Sequence, residues 1–581
     1  MFCGNCGYQL IGGDKFCGGC GQIVGQEPSP YLYQPPQSPV EIQPSQPPME
    51  MQPPVKMQQS STYGQSQGGG KVILKGTQKA YLSVSTVLLL VMTIPLFFTI
   101  WQSFFSFWGF GNPWERAFVG AGYYIEVIFG TRFGQLLVNT LALGVLPIIV
   151  TCLVAAILIL CITNISNRWL KYTALTIIAI PAFVPIFAFN QIVIDLAMPT
   201  AGGLSRGVYW VVFSIFQMIR SAFIPTVIGV FVCAYNKRKE QGMFLSLALY
   251  ALFSTLFILA PDFESVFTTS LYVPGANAET LNLYVYSTGF LRGQMSYGSA
   301  VWVIKTILQL VIGIGILFCL SLVWKNIRFA SRIEDETTDS SNSPMALVGF
   351  AICSIPFLFI IFGYVFPVTR MVPATMALIN NSFYIGSTLF NTITRALVGS
   401  VIFVIFAFFF AFPLTFRKRF YGVLLFLVAM ISNNFIGNFF VISRLGLIGS
   451  PFNVPLIMGL SVMGVFGLYG ATRNEFVGNT VSMGDYCRKV APFLLGLFVV
   501  AFIISFGNSI HELLFISRSE DFGIGILGRN LFLGVAQPVM QVADYVFIAS
   551  FIPVLLGIAL IWTDAFLPKS MLPLFIASIR R

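Results

Sequence analysis

Charge is scarce in this sequence. Asp, Glu, Lys and Arg make up 9 % of its 581 residues, where a water-soluble domain carries roughly 25 %. So few charges cannot cover a chain of this size, and lipid must solvate much of its surface. Histidine is scarcer still: His511 is the only one. The apolar part therefore offers no metal-ligand cluster and no acid–base constellation, and a membrane enzyme finds no support. A GxxxxGK[ST] stretch is absent, so the chain cannot itself cradle nucleotide phosphates. Gly68-Gly69-Gly70-Lys71 lacks that spacing. The N-terminus is polar and cysteine-rich, unlike a secretory signal peptide, in which a basic stretch precedes an apolar one.

Hydrophobic residues, in contrast, make up 56 %. Their distribution divides the chain into three regions. Residues 1–21 hold Cys3, Cys6, Cys17 and Cys20 as two CxxC pairs. Each pair can turn as a knuckle and aim two thiolates at one point, and two knuckles complete a tetrahedral four-sulfur site suited to zinc. A redox dithiol pair is the alternative. So short a segment has little core, so one structural zinc would supply its folding energy. The other six cysteines are scattered singly, which reads as inert core positions rather than a disulfide framework. Residues 22–78 are rich in Pro, Gln, Ser and Gly. They cannot bury enough apolar area to offset ordering entropy, and they read as a disordered tether.

From residue 79 onward apolar runs dominate. A bilayer span takes about 20 apolar residues, and on that measure we expect about twelve helices. They lie near 81–104, 136–163, 170–194, 208–235, 243–260, 300–324, 345–366, 394–413, 421–443, 455–471, 490–516 and 544–566. The fold class expected is an all-α polytopic membrane protein made of two six-helix repeats, residues 79–331 and 344–581. The polar linker 332–343 (RIEDETTDSSNS) joins them. An even number of spans puts both termini on one side. With that side taken as cytoplasmic, most of the 33 Lys and Arg residues fall there, as the positive-inside rule requires. The net charge of +11 is thus spread over short loops, and nucleic acid is not expected as a partner. The localisation expected is a bacterial-type plasma membrane with both termini cytoplasmic.

Several motifs resemble a known family. Phe118-Val119-Gly120-Ala121-Gly122-Tyr123 precedes Phe133 and Asn139-Thr140. Pro199-Thr200-Ala201-Gly202-Gly203-Leu204 and Tyr284-Val285-Tyr286 follow, then Gly293-Gln294-Met295-Ser296-Tyr297-Gly298. These stretches resemble the permeases of type I ABC importers, in the sugar and oligosaccharide branch. In the second half Asn391-Thr392, Arg444-Leu445-Gly446-Leu447-Ile448 and Asp544-Tyr545 through Pro553 resemble the partner permease. Residues 1–21 resemble the short bacterial zinc-ribbon module. The resemblance implies two permease units fused in one chain, importing a sugar or oligosaccharide. It also implies separate ATPase subunits on the inside and an extracytoplasmic solute-binding protein on the outside.

Family permeases carry a cytoplasmic coupling helix in each half. The first half offers only residues 236–242 in its place, too few for such a helix. In the second half Glu475, Gly478, Asp485 and Pro492 stand nearest to the family pattern, but its EAA and DG elements do not fit in register. These losses favour an alternative: a transport-inactive relative acting as a scaffold or sensor through its zinc ribbon. Charge inside the membrane is costly and marks candidate path residues. Arg220 falls in mid-span, where it would meet solute or form a structural pair. Asn508, matching an Asn of the family, leads to His511 and Glu512, a further candidate for the path or for a proton relay. Glu264 is expected at the external mouth. Lys305 and Arg395 lie near span ends, where long cationic side chains snorkel to the surface.

Overall fold

The structure is a computed structural model. It describes residues 76–106, 117–197, 204–236, 238–270, 273, 278–333, 344–379, 383–416, 418–431, 434–450, 452–476, 482–508, 510–516, 521–527 and 548–579. The four N-terminal cysteines, nearly all of the tether, most of the polar linker, residues 199–203 and Asp544-Tyr545 lie outside these.

Each apolar run expected to span overlaps helix among the described residues. The first half contains α1 (Gly76–Val91), α2 (Ile94–Ser103), α3 (Gly122–Phe129), α4 (Phe133–Thr163) and α5 (Arg168–Phe183). It continues with α6 (Ile186–Ala197), α7 (Arg206–Ser221), α8 (Phe223–Tyr235), α9 (Lys239–Thr255), α10 (Phe263–Ser270), α11 (Leu281–Tyr286) and α12 (Met295–Asn326). The second half contains α13 (Pro344–Ile379), α14 (Phe383–Phe416), α15 (Lys418–Ile431), α16 (Phe435–Arg444) and α17 (Asn453–Gly459). It continues with α18 (Val462–Thr472), α19 (Met483–Phe506), α20 (Ile510–Phe515) and α21 (Phe551–Asp564). Among the described residues there is no strand, only one isolated bridge, Phe105 to Phe118.

The chain is an integral membrane protein by composition and by the placement of its side chains. Among the described residues six helices are long and apolar enough to cross a bilayer, and up to nine if each sharply bent pair is one span. On α12 the apolar Val311, Ile314 and Phe318 are exposed while Lys305, Thr306 and Gln309 are buried. Leu153, Phe362, Leu495 and Leu555 likewise face outward, and Asn139, Thr140, Arg220, Arg395 and Glu512 face inward. Water would sort these side chains the other way; hydrocarbon accepts the exposed Phe and Leu and leaves polar groups to find partners within the bundle.

The order of shapes repeats. A long straight helix, α4 or α14, comes early in each half. It is followed by a pair bent nearly at a right angle: α5 and α6 at 89°, α15 and α16 at 86°. A second broken pair follows, α7 and α8 or α17 and α18, then a straight helix and a short one. α4 packs on α7, α8 and α9, and α14 packs on α17, α18 and α19. Elements also cross between halves. α2 packs on α16, α13 on α4 and α5, α12 on α15, and α21 on α5.

Candidate functional site: a polar cavity between the halves

The Asn-Thr pair at the head of each long helix shows how the interior is built. Asn139 donates its amide to the Glu279 carbonyl at 2.9 Å, and the Thr140 hydroxyl accepts the Leu281 N–H at 2.8 Å. Asn391 donates to the Phe522 carbonyl at 3.4 Å, and the Thr392 hydroxyl accepts the Ile524 N–H at 2.8 Å. Both pairs bind two backbone groups spaced two residues apart on the segment that follows the short helix. The dipeptide thus holds the segment that enters the next helix, α11 in the first half and the helical residues 524–527 in the second, whose first N–H groups would otherwise lack partners in the membrane.

That segment positions the short helices α10 and α20. Their first turns, with residues just before them, face a cavity of about 250 Å³ between the halves. Arg220, Asp262 and Glu264 line it from the first half; Asn438, Asn508 and His511 line it from the second. Arg220 is buried and its Nη1 lies 3.1 Å from Asp262 Oδ2. Asp262 also accepts from the Ser265 hydroxyl at 3.0 Å. Among the described residues the Arg220 Nε has no hydrogen-bond partner. His511 Nδ1 lies 2.9 Å from Asn508 Oδ1. With that oxygen as acceptor, Nδ1 carries the hydrogen and Nε2 is left as an acceptor. The cavity thus presents donors and acceptors of both signs on apolar walls that include Phe257, Phe263 and Phe435.

Three of the four path candidates meet at this cavity: Arg220, Asn508 and His511. Glu512, next to His511, does not line it. Its Oε1 is 3.1 Å from Arg395 Nη1, its Oε2 accepts the Gly523 N–H at 3.1 Å, and Arg395 also donates to the Asp521 carbonyl. A side chain at Gly523 would place its Cβ 2.4 Å from Glu512 Oε1, so the carboxylate fits only because none is there.

Two expectations from sequence are corrected here. Arg395 is 4 % exposed and Lys305 5 % exposed, so neither snorkels. Arg395 is ion-paired, and Lys305 donates to Asn282 Oδ1 at 2.6 Å. Glu264 sits buried at the cavity between the halves. Sequence reasoning also passed over Asp262 and Asn438. Their only signal was polarity beside apolar runs, and nothing in the sequence gave the register that turns them inward.

The four coupling candidates are not gathered into one motif. Glu475 pairs with Lys569 at 2.8 Å on the surface. Asp485 accepts from the Ser482 hydroxyl at 2.6 Å, where Ser482 caps α19. Pro492 lies inside α19. Gly478 lies outside the described residues. In the first half α8 ends at Tyr235 and α9 begins at Lys239, and Cys233 Sγ reaches the Lys239 carbonyl across the turn. That turn has no room for a coupling helix. Among the described residues no group of three or more His, Cys, Asp or Glu is placed to hold a metal ion.

Comparison of the chain with known families finds no matching family model, and comparison with curated proteins finds no match.

Proposed function

We propose that this chain is the membrane-spanning permease component of an importer, with two six-helix units enclosing the solute path. The observation that carries the proposal is the polar cavity lined by both halves, with Arg220 and Asp262 facing Asn508 and His511. Enclosed polar groups at membrane depth mark a solute path. Placement between two repeats suits alternating access by rocking one half against the other. In this reading the chain has about twelve spans and both termini in the cytoplasm. The solute is a sugar or oligosaccharide, whose hydroxyls both donate and accept. A binding protein delivers it from outside, and ATPase subunits on separate chains power the cycle. The membrane is a bacterial-type plasma membrane, and the chain performs no catalysis itself. Cys3, Cys6, Cys17 and Cys20 hold one structural zinc on the cytoplasmic side.

A second reading is favoured by the tight turn between α8 and α9. Without a coupling helix there, the chain would be a transport-inactive scaffold or sensor acting through its zinc ribbon. Purification with candidate ATPase subunits separates the two. The permease predicts a complex whose ATP hydrolysis rises with solute; no association leaves the scaffold. An epitope beside Cys3 should be reachable only after cells are permeabilised. Zinc content should be one per chain, and a Cys17→Ser variant that retains it would remove the zinc assignment.

A further inference from the structure

We propose that residues 570–579 form a plug that closes one end of the path and must release one half of the bundle before the path opens there. This deepens the permease reading and rests on it. After α21 the chain turns back into the protein. The turn is latched by Asp564, whose carboxylate accepts from the Tyr172 hydroxyl at 3.0 Å, from the Ser570 hydroxyl at 2.9 Å and from the Met571 N–H. The Ser570 N–H donates to the Ser331 carbonyl at 2.8 Å, beyond the C-terminal end of α12. Residues Leu572–Ser578 then form a 3-10 helix in which every residue is buried.

This segment packs on α8 of the first half and on α18 and α19 of the second. The Phe575 ring sits 5.4 Å from Phe183 and 5.0 Å from Phe223, both in the first half. On the opposite side it comes so close to Gly467 that a Cβ there would lie 2.9 Å from Ala577 and 3.0 Å from the Leu574 carbonyl. A segment wedged against both halves cannot stay in place while α8 moves away from α18. The halves separate at this end only if the plug leaves one of them.

The plug also borders the path. Phe575 and Ser578 line a cavity of about 140 Å³ that reaches Arg220 and Asp262. The same ion pair lines the larger cavity between the halves. Plug, small cavity, ion pair and large cavity therefore lie in series. A short 3-10 run held by side-chain packing and one carboxylate latch suits repeated release. Elements that move are drawn from the less stable end of a fold.

Hydrogen exchange on the full-length protein in lipid tests this without mutation. The amides of 572–579 should exchange about tenfold faster, or more, than those of α18 and α19, through a local opening. Exchange in step with those helices would overturn the plug and leave the permease reading to its ATPase test. Gly467→Leu and Phe575→Ala, reconstituted into vesicles as monodisperse protein, should each raise passive entry of erythritol by about tenfold or more over wild type. If the segment exchanges fast but erythritol stays out of both variants, the segment is mobile without closing the path; the plug falls, and the permease reading is left to its ATPase test. If neither variant folds, the exchange result on the wild-type protein decides.

Discussion

The two halves solve one construction problem with different residues. Each must hold the segment that follows its short helix and enters the next, and each uses an Asn and a Thr on its long helix to do so. Around that shared clamp they diverge. In the first half Thr280 caps α11, and Lys305 reaches Asn282, a neutral partner. In the second half Gly523 stands just before the clamped Ile524 N–H, as Thr280 stands before Leu281, and it leaves space for the Arg395–Glu512 ion pair. A charged pair of the first half, Arg220 with Asp262, lies on the cavity instead, where Asp262 keeps 16 % exposure. A sealed pair holds structure together, while a pair on a cavity can exchange partners with solute. What the repeat preserves is therefore the backbone clamp, and what varies is where charge is spent.

The largest test of this contrast is Arg395→Met. Removing one partner of a buried pair strands the other, at about 3–5 kcal/mol. A marked fall in thermal unfolding temperature is expected, and a clearly smaller fall for Arg220→Met, because Asp262 can take up water from the cavity. Equal losses would erase the distinction between structural pair and path pair. Next come Thr140→Val and Thr392→Val, each leaving one buried N–H unsatisfied at about 1–3 kcal/mol. The two should cost alike, since both bonds are 2.8 Å long. A large inequality would break the equivalence of the halves. Asn139→Leu should cost about 1 kcal/mol more than Asn391→Leu, because its bond to the Glu279 carbonyl is 2.9 Å long against 3.4 Å for the bond of Asn391 to Phe522.

The smallest effect concerns Glu279, whose carbonyl takes part in the first clamp. Burial raises its carboxyl above the ordinary carboxylate range, partly offset by the Ser287 hydroxyl. A carboxyl raised in the folded state favours folding below its unfolded value, and that advantage is lost as pH rises through the folded one. Glu279→Gln should flatten a slight fall in unfolding temperature over that window. An unchanged pH profile would remove Glu279 from the account.

Much of the architecture could be read from hydropathy alone, because a bilayer asks for long apolar runs and the helices fall where those runs lie. The breaks were less visible. The pair 170–194 reads as one run, yet it bends at Val184 and Pro185, between α5 and α6. Pro181 and Pro185 stand at that bend, but prolines in a span do not give its angle. The Asn-Thr clamp showed as a repeated dipeptide without showing what it held, since its partners lie 131 to 141 residues away in sequence. Lys305 and Arg395 were misjudged because distance from a span end says nothing about which face a side chain takes or what waits for it inside. The buried run Leu572–Ser578 is too short for a span, and sequence gave no reason to return it to the interior.

One bond carries a consequence for how the protein is made. The Asn434 amide donates to the Thr99 hydroxyl at 2.7 Å across 335 positions of sequence, joining α2 to the helix it packs on in the other half. At the ribosome's pace of about 5–20 residues per second, α2 is in the membrane for roughly half a minute before that partner has been synthesised. In the meantime Thr99 lacks that partner, whereas Ser103 beside it finds Tyr124 of α3 only 21 residues further on. The first span can pack on α12 of its own half early, but a ribosome that stalls after α12 leaves behind a half in which Asn434 never reaches Thr99.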